Sequence, residues 1–159
     1  MNEALSKLWP RMMSVAYRIL GSVADAEDAV QDAFVRAYRH LGSYRERDRF
    51  GAWLLRIVVN QCRTRAAKAA RYTRFDLDQH EPDAEHSPAH DASDRRAELA
   101  HALAQLGPEQ REAIVLRYTE ELSFEEISTL TGVGISALKM RVQRACTRLR
   151  TLLEAHLHT

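Results

Sequence analysis

Glycine and proline are scarce, 6 and 4 in 159 residues, roughly half the frequency of an average globular chain. With so few turn formers the segments between turns must be long, which favours helices. Cysteine is scarcer still. Cys62 and Cys146 stand far apart, with no Cys-x-x-Cys or Cys/His ligand spacing, so neither a disulfide framework nor a zinc site is expected. Both fall at apolar helical positions and read as packing residues. No apolar run approaches the roughly 20 residues that span a bilayer, and the N-terminus lacks the continuous apolar core of a signal peptide. The expectation is a cytoplasmic protein without membrane insertion. The length suits one ordinary domain or two small ones and leaves little room for a large catalytic fold. Gly-rich phosphate loops, His-Glu-x-x-His and Gly-x-Ser-x-Gly are all missing, and the acids gather in helix first turns and one polar segment. No enzyme, cofactor or metal ligand is therefore expected.

An excess of one charge sign is also missing overall: 23 Lys and Arg face 22 Asp and Glu, for a net charge of +1. The balance is a cancellation. Residues 1–75 carry 14 basic and 7 acidic groups, net +7; residues 76–98 carry 2 and 8, net −6. Residues 99–135 carry 2 and 6, net −4; residues 136–159 carry 5 and 1, net +4. Two basic blocks flank an acidic middle, the charge distribution of two surfaces that face a polyanion.

Leu5, Leu8, Trp9, Met12, Met13, Tyr17 and Leu20 recur at helical spacing up to Gly21, with Pro10 kinking that helix or starting its second part. Ser22 with Asp25 resembles a capping box for a second helix whose face is Val30, Phe34, Ala37 and Leu41, ended by Gly42. A third carries Phe50, Trp53, Leu54, Ile57 and Val58. These three helices form one domain, residues 1–75. Residues 76–93 contain Pro82, Pro88 and hardly any large apolar residue, and read as a flexible acidic linker. His80, His86 and His90 within it are solvated linker residues before they are a metal cluster. The second domain, residues 94–159, opens with Leu99, Leu103 and Leu106, stopped by Gly107, with Pro108 at the first position of the next helix. Ile114, Val115 and Tyr118 form that helix's apolar face. Ser123-Phe-Glu-Glu126 is a capping box, Thr131-Gly-Val-Gly134 a turn, and Ser136 the cap of a long final helix. The pattern predicts an all-α protein of two small domains, the C-terminal one a helix-turn-helix.

At 100° per residue, Leu138, Val142, Ala145, Leu149 and Leu152 fall on one side of the final helix. Ser136, Met140, Gln143, Arg144 and Thr147 lie opposite, with Lys139 and Arg150 on one flank and Arg141 and Arg148 on the other. No acid occurs between Ser136 and Arg150. A strip of amide and guanidinium groups bordered by cations suits base edges and phosphates in a major groove. In the third helix Arg49, Arg56, Asn60 and Arg63 project away from the core stripe. Tyr44, in the loop before them, could stack an unpaired base or lie over the bundle. From these residues alone a free-standing helix-turn-helix regulator with an N-terminal dimerisation or effector module, and a protein-interaction adaptor, both stay open.

Three blocks decide among these by likeness: ADAEDAVQDAFVRAYRHL (24–41), YRERDRFGAWLLRIVVNQCR (44–63) and AIVLRYTEELSFEEISTLTGVGISALKMRVQRACTRLRTLL (113–153). In order and spacing they resemble the extracytoplasmic function (ECF) sigma factors, the small promoter-recognition subunits of bacterial RNA polymerase. The resemblance implies that Asp28, Gln31, Asp32 and Arg36 dock on the β′ clamp helices of core polymerase, whose β flap is a further contact. It implies that Tyr44 and Asn60, supported by Arg56 and Arg63, hold a flipped base of the −10 element. It assigns Lys139, Met140, Arg141, Gln143 and Arg144, extended by Ser136 and Arg148, to the −35 duplex, and an anti-sigma factor is usual. Two departures stand out. Met140 replaces a small polar residue on the reading face, and Glu121 replaces a common glycine before the short helix.

Overall fold

The computed structural model describes residues 2–43, 49–75 and 92–157. Among them all regular structure is helical, and the chain divides into two compact units, Met1–Tyr72 and Thr73–Thr159. The linker read at 76–93 falls outside the described residues except for its last two, which begin a helix.

The first unit holds α1 (Asn2–Leu20), α2 (Val23–His40), a 3-10 turn (Leu41–Ser43) and α3 (Phe50–Phe75). Gly21, at φ 75°, ends α1 in the left-handed region that glycine enters freely. Ser22 then caps α2, its hydroxyl accepting from the Asp25 amide at 3.3 Å. Pro10 sits inside an unbroken helix and so starts no second one. The buried face of α1 is Met12, Val15, Ala16 and Ile19, whereas Tyr17 is exposed. The stripe is thus rotated from the expected one, because the small residues Val15 and Ala16 let α2 approach closely. Ala26, Ala29, Val30, Ala33 and Ala37 form the matching face of α2, and Trp9 meets Phe34 edge-on at 4.9 Å between ring centres. Helix α3 buries Leu54, Leu55, Val58, Val59 and Cys62, a wider arc than the predicted stripe.

The second unit holds α4 (Ala92–Ala104), α5 (Pro108–Ile114), which continues as one π-helical turn (Val115–Thr119), α6 (Phe124–Thr131) and α7 (Ile135–Leu157). Helix α7 packs against α4, α5 and α6. Its buried residues Val142 and Ala145 join Leu106, Ala113 and Ile114, with Leu103, Phe124, Cys146 and Leu149 around them, and Leu138 is buried as well. Arg111 donates from its terminal nitrogen to the carbonyls of Ala104 and Leu106, both at 3.1 Å. It thereby satisfies the orphan acceptors at the end of α4, and burial lowers its pKa.

The π turn corrects one expectation. By widening the helix it buries Val115 and Leu116 and turns Tyr118 out, 60% exposed. The Tyr118 hydroxyl accepts from the Cys146 thiol at 3.8 Å. The turn closes with Glu121 at φ 55°, the one described non-glycine residue in the left-handed region. Arg117 fastens it by donating to the Leu122 carbonyl at 2.9 Å. The Ser123–Glu126 capping box is complete, with bonds of 3.1 and 3.2 Å.

Gly132 ends α6 at φ 77°. A Cβ there meets no atom within 4 Å, so Gly132→Ala tests backbone conformation alone. It is expected to destabilise the second unit by about 1–2 kcal/mol, measured by urea denaturation.

Candidate nucleic-acid interface

Helix α7 presents its two faces as the wheel requires. Leu138 and Val142 are buried, while Ser136, Lys139, Met140, Gln143, Arg144 and Arg148 are exposed along one side. One detail differs. The Leu138 amide donates to the Gly134 carbonyl at 3.0 Å, so the helix begins there and Ser136 lies within the first turn rather than capping it.

The cations of this face are not equivalent. Arg141 is half-buried, and its guanidinium meets the Glu109 carboxylate of α5 at 3.4 Å. Lys139 places its ammonium 5.9 Å from the centre of the Phe124 ring, which also carries the Arg117 guanidinium at 4.8 Å. An aromatic face between two cations holds both by its quadrupole and fixes the start of α6 beside the start of α7. Arg144 and Arg148 form no ion pair with any described residue. The side therefore offers exposed guanidinium and amide donors that are not ion-paired with described residues at its centre, with Lys139 and Arg141 held by contacts at its flanks.

In the first unit, Arg56 and Asn60 are exposed on α3 and Arg63 is half-buried. The Asn60 carbonyl accepts from the Thr64 hydroxyl at 3.0 Å, so the local helix geometry is reinforced while the side chain faces solvent. Tyr44 lies outside the described residues.

Asp28, Gln31, Asp32 and Arg36 are all exposed on α2. Asp28, Asp32 and Arg36 repeat every four residues and share a stripe. Arg65 of α3 reaches across to two of them, at 2.5 Å to Asp32 Oδ2 and 3.8 Å to Asp28 Oδ2. The sequence pattern alone does not single out Arg65. The missed signal is its register: Arg65 comes seven residues after Val58 and three after Cys62, on the buried side, where a cation requires an acid from the facing helix.

No helix of the described residues is long and apolar enough to cross a membrane. The profile of Sigma-70 region 2 matches residues 5–72, and that of Sigma-70, region 4 matches residues 96–149. The RNA polymerase sigma factor CarQ of Myxococcus xanthus is 36% identical over 146 residues, 91% of this chain and 83% of its own length. The ECF RNA polymerase sigma factor SigE of Mycolicibacterium smegmatis is 33% identical over 163 residues, covering 98% of this chain, which spans 62% of that protein. Among solved structures, the sigma factor RpoE in complex with the anti-sigma factor NepR from Bartonella quintana is similar, at a TM-score of 0.79 and 29% identity over 96% of both chains.

Proposed function

Because this chain belongs to the ECF sigma factor family, we propose that it docks on core RNA polymerase through α2, reads the −10 element with its first unit and reads the −35 element with α7. It is an RNA polymerase sigma factor that directs promoter-specific transcription initiation. The carrying observation is that regions 2 and 4 of Sigma-70 occur in order on one chain, each matched to one helical unit. A free-standing regulator would have no use for the first of them. Sigma regions bind and position, so the chain itself is non-catalytic and acts in the cytoplasm, where polymerase works.

The residues take divided roles. Asp28, Gln31, Asp32 and Arg36 face the β′ clamp helices, with the β flap as a second polymerase contact for the other unit. Asn60 supplies an amide for the edge of a base extruded from the −10 duplex, a step costing a few kcal/mol, with Arg56 and Arg63 on the neighbouring phosphates and Tyr44 as the stacking partner. On α7, Gln143 and Arg144 can make bidentate contacts to base edges. The exposed thioether of Met140 offers an apolar surface to a thymine methyl where a polar side chain would offer a hydrogen bond. Lys139 and Arg148 serve phosphates. Weak binding by each unit becomes effective once polymerase holds both, since the second contact is then intramolecular. RpoE, to which this chain is similar, is complexed with an anti-sigma factor, and that supports an anti-sigma partner here.

Run-off transcription on fragmented genomic DNA with purified core polymerase tests this reading. Promoter-specific transcripts should appear only when the chain is added. Tight operator binding without polymerase, and no transcript with it, would overturn the reading in favour of a free-standing regulator.

A further inference from the structure

Given the reading of α2 as the polymerase-docking helix, on which this rests, we infer that Arg65 is a positioning residue of the docking face, holding Asp28 and Asp32 in the arrangement that polymerase recognises. The three groups form one network between two helices, at 2.5 and 3.8 Å. The Arg65 side chain keeps 28% of its surface in solvent, against 59% and 53% for Asp28 and Asp32. The guanidinium therefore lies beneath the carboxylates and leaves their outer side open. Its Nε is buried without a hydrogen-bond partner among the described residues, so its terminal nitrogens carry its interactions.

The chemistry of the carboxylate makes such a cation a support rather than a competitor. A carboxylate has about four lone-pair sites, and Arg65 engages only Oδ2 of each aspartate. The Oδ1 atoms stay available to cations or amides of a partner. Without Arg65, two like charges one helical turn apart repel and occupy several rotamers, which docking must then freeze. Fixing them in the free protein removes that cost from the binding step.

The test is an equilibrium titration of the full chain against purified core polymerase, with thermal denaturation of each variant alongside. Asp32→Asn should weaken core binding. Arg65→Met should weaken it by about three- to tenfold, and Arg65→Gln should do the same, because neither carries the charge. In the Asp32→Asn background, Arg65→Met should add less than about twofold, since the group it positions has been altered. A general loss of structure would lower affinity equally in both backgrounds and would overturn the inference, as would unchanged or tighter binding by Arg65→Met. If Asp32→Asn and Asp28→Asn both leave core binding intact, the docking assignment of α2 fails and the role of Arg65 with it. If they weaken binding while both Arg65 variants bind normally, only the role of Arg65 fails.

Discussion

Leu138→Ala is expected to remove about 2–5 kcal/mol from the second unit, through the lost transfer free energy of the side chain and the cavity it leaves. Leu138 is 1% exposed and lies on α7, the helix that packs against α4, α5 and α6. A unit of this size has a net stability of only a few kcal/mol, so the loss is a large fraction of the whole. The sequence supplies a way to see it separately. Both tryptophans, Trp9 and Trp53, belong to the first unit, so tryptophan fluorescence reports that unit while far-ultraviolet dichroism reports both. In urea, Leu138→Ala should move the dichroism transition to lower denaturant and leave the fluorescence transition in place. A cost below about 1 kcal/mol would mean that α7 does not bury this face. Because Lys139 and Met140 follow Leu138 directly, promoter reading should fail at temperatures where the first unit is still folded.

Arg144→Ala is expected to cost about 1–3 kcal/mol at promoters carrying the preferred −35 base and much less at promoters lacking it, as a bidentate contact to a base edge would. Arg144 is exposed on the side opposite the core and pairs with no described acid. Arg148, on the flank, should behave otherwise. Its loss weakens all sequences alike and lowers the salt dependence by about one phosphate contact. Arg141 is already engaged with Glu109, so its removal should change DNA affinity less than either. The measurement is holoenzyme binding to a promoter set substituted through the −35 element, at two salt concentrations. A uniform loss for Arg144→Ala would make it a phosphate contact and move base reading to Gln143 and Met140.

The Ser123–Glu126 capping box, the single Ser22 cap and the turns that order these helices were legible because they are local. Ser123 and Glu126 sit three residues apart, and Gly132 must be left-handed for the chain to turn. The same holds for α7, where alternating four- and three-residue spacing of apolar side chains marks the core face and the absence of acids up to Arg150 marks the outer one. The face of α1 is less legible from spacing. Tyr17 and Met13 outweighed Val15 and Ala16 in apolar size, yet small side chains won the interface, since close helix approach depends on shape as well as hydrophobicity. Tyr118 was misplaced because the wheel assumes 100° per residue and the π turn does not keep it.

By itself the sequence determined the helical composition, the two basic segments around an acidic middle and the helix-turn-helix, since each depends on composition, periodicity or neighbours a few residues apart; the promoter-contact residues came from likeness to a family. Only the tertiary structure decided which of those charges are engaged within the protein. Arg65 meets Asp28 and Asp32 across more than thirty residues of chain, and Arg141 meets Glu109 from another helix. An ion pair between helices depends on how two elements pack, which the pattern along either one does not contain. The near-neutral net charge of +1 therefore hides two things, the cancellation of basic segments by acidic ones in the sum and the pairing of individual side chains across helices. The second is what separates cations engaged within the protein, Arg65 and Arg141, from those left exposed on α7.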